Sequence, residues 1–299
     1  MVRMSVIASV LLCLVVPSNV TSAPLVKDVD VNGLRLSYVD QGSGEPVVFV
    51  HGAISDLRTW PSAVSETVAK KYRFIAYTQR YHGTGAWNDD GKKYSVATHA
   101  DDLAKFISAL NAGPAHVVGW SYGGQVAIIA AQNTPSLVRS LILYESGPAS
   151  VLAPDSPEAK TAAEDRAKFI GPAMAALKAG DAMQAAGLFF EAVSQTPPGG
   201  FEHEPEAIRT TVLDNARTLP VLFASPPSGI TCDSLKNLTQ PTLVLKGEKT
   251  QTFYALISDA ISKCVPNAQR AILPNANHAG PARDPAGFGA AVVEYLSKR

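Results

Sequence analysis

With 299 residues, 46% of them hydrophobic and 17% charged, the chain holds enough apolar material for one large globular domain with an insertion. Its 26 Lys plus Arg are balanced by 26 Asp plus Glu. A net charge of zero supplies no basic field for nucleic acid or an anionic membrane, which argues against phosphate-rich partners.

Arg3 precedes an apolar run from Met4 to Val16, and Pro17 to Ala23 are small or polar. The run is too short to cross a bilayer comfortably, so residues 1–23 read as an export signal cleaved near Ser22 or Ala23. The mature chain is then expected in a periplasm or outside the cell, without stable membrane association. Cys13 leaves with the signal, and Cys232 and Cys264 remain. An oxidising compartment permits that pair to bond, but the sequence alone favours two separately buried thiols. Neither has the neighbours of a catalytic thiol or a metal site.

Val29 to Asp40 alternates apolar and polar residues around Asn32-Gly33, which predicts two strands and a tight turn. Pro46 to Val50 is a continuous apolar run, as in a buried parallel strand, and ends in His51-Gly52. A helix is expected from about Trp60 to Lys70, a strand over Tyr72–Tyr77, and a loop over Gln79–Gly85. Ser95 to Leu110 follows a helical period. After the strand around Val117 and its helix, Leu141 to Glu145 is the next buried strand. From 147 to 233 no buried strand is expected. That stretch is Ala-rich and helical in pattern over 158–169, 173–177, 182–193 and 205–215. Strands resume at 241–247 and 271–273, with helices over 252–263 and 285–297. The chain therefore reads as an α/β fold: eight mostly parallel strands, helices on both faces, and a helical cap over 147–233 inserted in a core of 24–146 and 234–299.

The chemistry centres on Gly119-Trp120-Ser121-Tyr122-Gly123-Gly124. A strand before this Gly-x-Ser-x-Gly and a small-residue helix after it predict a sharp turn that projects the Ser121 hydroxyl, with the helix N-terminus aimed at the same point. The competing reading is a structural turn serine. A serine nucleophile needs a base, and the base an orienting acid. Of six histidines, only His278 follows Ser121 in a loop between the last strand and the last helix, at the same edge of the sheet.

In this order of motifs, about Val26 to Lys298, the chain resembles the α/β-hydrolase family. His51-Gly52, Arg80-Tyr81-His82-Gly83, the Ser121 turn, the helical insertion, Pro241 to Glu248 and the His278 loop carry the resemblance. It implies Ser121 as nucleophile, His278 as base, and an oxyanion hole from the backbone N–H groups of Ala53 and Tyr122. One such donor is typically worth about 3 kcal/mol of barrier. The departure is the acid. The family usually carries Asp shortly after the strand ending at Gly247, where this chain has Thr250. Some members place the acid after the preceding strand, and Glu145 occupies that position. Glu248 is the alternative, and a local strand-end carboxylate is the competing role for Glu145. Serine at 121 argues against the branches that need an Asp nucleophile.

The resemblance implies a cofactor-free serine hydrolase that cleaves small-molecule carboxylic esters or lactones through an acyl-enzyme. Ile54, Trp120, Phe189 and Phe253 are expected to line its pocket. A narrow lactone or C–C bond hydrolase, a perhydrolase and a non-catalytic ligand-binding member remain alternatives. The sequence leaves a homodimer open.

Overall fold

The computed structural model describes residues 25–60 and 62–299; the segment read as an export signal lies outside the described residues. The hairpin forms from Lys27–Val31 (β1) and Leu34–Gln41 (β2). Asn32 and Gly33 both take positive φ between them, as a two-residue turn matched to strand twist requires. Pro46–Val50 (β3), Arg73–Tyr77 (β4), Ala115–Trp120 (β5), Val138–Tyr144 (β6), Thr242–Gly247 (β7) and Gln269–Leu273 (β8) complete one eight-stranded sheet. Its spatial order is β1-β2-β4-β3-β5-β6-β7-β8. Only β1–β2 and β2–β4 pair antiparallel.

Alternation along the buried strands divides the core between the two faces. On β3, Val48 and Val50 join one cluster with Leu103, Phe106, Val126 and Ile257. Val47 and Phe49 join the other with Val64, Val68, Phe288 and Val292. The first face is therefore covered by Val96–Ala109 (α2), Tyr122–Asn133 (α3) and Thr252–Cys264 (α9). The second is covered by Ser62–Ala69 (α1) and Pro285–Leu296 (α10). Successive side chains of a strand point to opposite faces, so a run without polar residues needs helices on both.

Between β6 and β7 the chain forms Pro157–Lys178 (α4), Ala182–Ser194 (α5), Glu206–Asp214 (α6), Thr218–Ala224 (α7) and Cys232–Leu235 (α8). Leu235 of α8 joins the first core cluster, whereas the helices α4 to α7 bury a cluster of their own, to which Ile54 from the loop after β3 belongs. The expected break between 169 and 173 does not occur: α4 runs through Pro172. Proline removes one intrahelical bond, but Ile170, Ala173 and Ala176 pack into that cluster and hold the helix together. The last strand begins at Gln269 rather than Ala271, because an edge strand exposes one side and its polar residues give no buried signal. Among the described residues no helix is long and apolar enough to cross a membrane.

The topology places the site. Strand order reverses around β3 and β5, which are neighbours with Val50 beside Gly119. Ligands of open α/β sheets bind outside the carboxyl ends of the strands at such a reversal. The loops after β3 and β5 therefore meet, and those after β6, β7 and β8 lie along the same edge.

Contrary to the separate thiols expected above, Cys232 and Cys264 form a disulfide with a Cα–Cα distance of 5.1 Å. It ties α8 to the end of α9 and closes a 32-residue separation. Sequence spacing gave no hint of that proximity. Loop-closure entropy for this length corresponds to about 3 to 4 kcal/mol. Replacing both cysteines with Ala should lower the unfolding free energy by about that amount in urea titrations, with reduced wild type behaving alike.

Candidate active site

Ser121 sits between β5 and α3 with φ of 54° and ψ of −118°. A non-glycine residue held at positive φ costs of order 1–3 kcal/mol and needs surroundings that enforce it. The neighbours do so by close packing. A Cβ on Gly119 would lie 2.6 Å from the Gly124 Cα, and one on Gly123 would meet the carbonyl oxygens of Val50 and His51. Glycine at both positions lets β5, α3 and the loop after β3 close on one another. Tyr122 is the first residue of α3, where helix geometry leaves the N–H without an intrahelical acceptor.

His51 shapes the neighbouring loop. Its Nδ1–H donates to the Gly52 carbonyl at 2.8 Å, and its Nε2 accepts from the Gln79 N–H at 3.1 Å. In a trans peptide the N–H points opposite to the carbonyl. Holding the Gly52 oxygen toward His51 therefore aims the Ala53 N–H the other way. Gly52 packs directly on Ser121: a Cβ there would stand 3.3 Å from the Ser121 Cβ. Ile54, a β-branched residue at φ 45°, continues this strained turn.

A buried cluster backs the turn. His82 donates from Nδ1 to the Ser55 carbonyl at 2.7 Å, and Tyr94 donates its hydroxyl to His82 Nε2 at 3.3 Å. His99 Nδ1 meets the Tyr122 hydroxyl at 2.8 Å. Burial, first of all, lowers the His51 pKa to about 4 and that of His99 to about 3; His82 is also pushed well down. The cluster is neutral at ordinary pH.

The carboxylate question is answered geometrically. Glu145, directly after β6, is fully buried at φ 45°. Its Oε1 accepts from the Gly247 N–H at 2.7 Å, and its Oε2 accepts from the Thr250 hydroxyl at 2.8 Å. The same Oε2 stands 2.8 Å from His278 Nδ1. Thr250, where an acid was expected, thus hydrogen-bonds the carboxylate supplied by the adjacent strand. Glu248 turns elsewhere and accepts from the Asn275 N–H at 2.8 Å. Two further residues fix His278. The Tyr254 ring lies face to face on the imidazole, with centroids 3.7 Å apart and planes 10° apart. Trp120 Nε1 donates to the His278 carbonyl at 2.9 Å. Sequence pattern does not reveal this Tyr254 contact, because stacking across α9 and the last loop leaves no periodic trace.

Ser121 and His278 open onto one cavity of about 730 Å³, shared with Ala53, Ile54, Trp120 and Phe189. Phe253 is the exception among the expected lining residues. It lies outside this cavity and packs edge-on against Phe169 and Tyr254, since the start of α9 turns it toward α4. There its N–H is capped by Asp165 Oδ2 at 2.8 Å. Phe190, Val193, Ile208 and Val212 line the cavity as well. Among the described residues no group of three or more His, Cys, Asp or Glu could hold a metal ion.

A family model for the alpha/beta hydrolase fold matches residues 45–282. The chain is 26% identical over 260 residues to 2-(acetamidomethylene)succinate hydrolase of Mesorhizobium japonicum, covering 84% of this chain and 87% of that protein. It is 24% identical over 277 residues to a putative 2-succinyl-6-hydroxy-2,4-cyclohexadiene-1-carboxylate synthase of Bacillus subtilis, covering 89% and 96%. Among solved structures, the esterase RhEst1 from Rhodococcus sp. ECU1013 superposes with a TM-score of 0.73 at 24% identity, covering 91% and 98%. A thermophilic esterase from Thermogutta terrifontis gives 0.66 at 25% identity, covering 92% and 98%.

Two outcomes are expected from this geometry. The Thr250→Val variant loses a hydrogen bond to a buried carboxylate, worth about 1.5–3 kcal/mol. If His278 turns over substrate, kcat should fall about ten- to a hundredfold, and steady-state kinetics on any hydrolysed ester measure it. Stability should also depend on acid. Histidines with depressed folded pKa values bind more protons once unfolded, so stability is full above about pH 6.5. It is lost as pH falls toward about 4 for His51 and about 3 for His99. The His51 contribution is on the order of 3 kcal/mol, and urea unfolding at pH 7, 5.5 and 4.5 should trace the decline.

Proposed function

The chain belongs to the α/β-hydrolase family and is a hydrolase; from that premise we propose an exported serine hydrolase that cleaves carboxylic esters or lactones through an acyl-enzyme. One observation carries the reading: Glu145 holds His278 at 2.8 Å while His278 and Ser121 face one cavity. Glu145 fixes Nδ1 as the protonated ring nitrogen and leaves Nε2 as the base. His278 takes the Ser121 proton as Oγ bonds to the substrate carbonyl carbon. The oxyanion is met by the N–H groups of Ala53 and Tyr122. His278 then passes the proton to the leaving oxygen as the acyl–oxygen bond breaks, giving the acyl-serine. A water molecule, deprotonated by His278, attacks that ester, and its collapse returns the proton to Ser121 and releases the acid.

Glu145 stabilises the imidazolium formed twice in this cycle. The face of Tyr254 does the same through its negative quadrupole. The non-catalytic reading drew on the absence of an acid at 250, and it loses that support once Glu145 bonds His278. Lactone and C–C bond substrates use the same serine and histidine, and a substrate screen separates them. The expectation of export draws support from the leader sequence and from the Cys232–Cys264 disulfide, which suits an oxidising compartment.

A fluorophosphonate probe should label the wild type and not Ser121→Ala, and p-nitrophenyl butyrate should be hydrolysed by the former alone. Lack of labelling would refute the mechanism. Glu145→Gln should cut kcat by about three to four orders of magnitude, whereas Glu248→Gln should stay within about twofold; the reverse order would reassign the acid.

A further inference from the structure

Three charged side chains line the cavity beside Ser121: Arg58, Glu206 and Arg283. Two guanidiniums in a cavity wall would ordinarily recruit a carboxylate. Here each is already taken. Arg58 donates from Nε to Asp56 Oδ1 at 2.9 Å and from Nη2 to Asp56 Oδ2 at 2.7 Å. The same Nη2 reaches Asp214 at 2.9 Å. The Asp56 side chain is only 2% exposed, so this fork-to-fork pair is closed off from water on the carboxylate side. Arg283 is bound by Glu204, itself buried, and by the Thr196 hydroxyl at 3.2 Å. Asp56 and Asp214 offset Arg58 and Glu204 offsets Arg283, while Glu206 adds one more carboxylate to the wall; with Arg217 acting on Asp214, three cations face four carboxylates, a formal balance of −1. Elsewhere Ile54, Phe189, Phe190, Val193, Ile208 and Val212 make the wall apolar.

We infer that this site takes an uncharged ester or lactone with an apolar acyl chain and rejects acyl groups that end in a carboxylate. The inference rests on the hydrolase reading above and adds the charge of its substrate. A carboxylate entering the cavity would shed water and face a negative field. Arg58 and Arg283 are already offset by Asp56, Asp214 and Glu204, so any N–H donor they have to spare would hold an incoming anion beside those carboxylates, against their repulsion. An uncharged chain faces neither cost. The guanidinium donors not engaged by acids remain able to bond a neutral carbonyl.

The test compares p-nitrophenyl pentanoate with the mono-p-nitrophenyl ester of glutaric acid, which exchanges the terminal methyl for a carboxylate. At low ionic strength kcat/KM should favour the pentanoate by about tenfold or more. Added salt should narrow the ratio. Glu206→Gln, on the exposed first turn of α6, and Asp214→Asn should each narrow it as well. Equal rates, faster glutarate cleavage, or a ratio unmoved by salt and by both variants would overturn the charge assignment. Should neither ester be hydrolysed and no fluorophosphonate label appear, the hydrolase reading falls separately. Calorimetry with pentanamide and the monoamide of glutaric acid then decides the charge question: weaker binding of the anion supports it, and equal or tighter binding refutes it.

Discussion

A carboxyl group cut off from solvent must have its oxygens hydrogen-bonded, or its burial costs several kcal/mol. Glu145 meets that demand with one donor from each of three places: the backbone at the end of β7, the hydroxyl of Thr250, and the imidazole of His278. Those three bonds draw the loops after β6, β7 and β8 to a common point. The rest of the edge is arranged to suit. Trp120 ties the His278 backbone to the end of β5, and Tyr254 closes the open face of the ring. The imidazole is fixed along its edge, on its face and through its own main chain.

The turns after β3, β5 and β6 are organised by strain as well. Ile54, Ser121 and Glu145 all have positive φ, and each follows a strand whose register is fixed by its neighbours. A sheet whose strands are buried on both sides cannot slip to relieve such turns, because a one-residue shift would reverse every side chain. The buried histidines and tyrosines behind His51 serve the same rigidity. They fill the space under the loop with groups whose hydrogen bonds are largely satisfied internally, and they stay uncharged while doing so.

Much of this was legible in the residues. Turn chemistry at Asn32-Gly33, unbroken apolar strands and the Gly-x-Ser-x-Gly turn sufficed for the sheet and for the places of Ser121 and His278. Glu145 was one of two candidates, offered by the family resemblance once position 250 held Thr, and Glu248 was the other. What escaped is what depends on packing between distant segments. The stacking of Tyr254, the Thr250 hydroxyl bond and the Cys232–Cys264 pair join residues whose separation has no period. Phe253 misled for the same reason: hydrophobicity marks a residue as buried without saying against what. Pro172 misled in the other direction, since a local breaker was overruled by the apolar face of α4.

Asn215, wholly buried, bridges the helical segment and the core. Its Nδ2 donates to Asp56 Oδ2 at 2.7 Å and to the Thr211 carbonyl at 2.8 Å, and its Oδ1 accepts from the Gly83 N–H at 2.6 Å. Lifting the roof of the cavity as one block would strip that amide of its bonds to Asp56 and Gly83 and part Arg58 from Asp214, a penalty of about 1–3 kcal/mol for a buried group left unpaired. Traffic between solvent and the serine is thereby turned away from wholesale hinging, toward smaller breathing of the α5 and α6 side chains that form the ceiling.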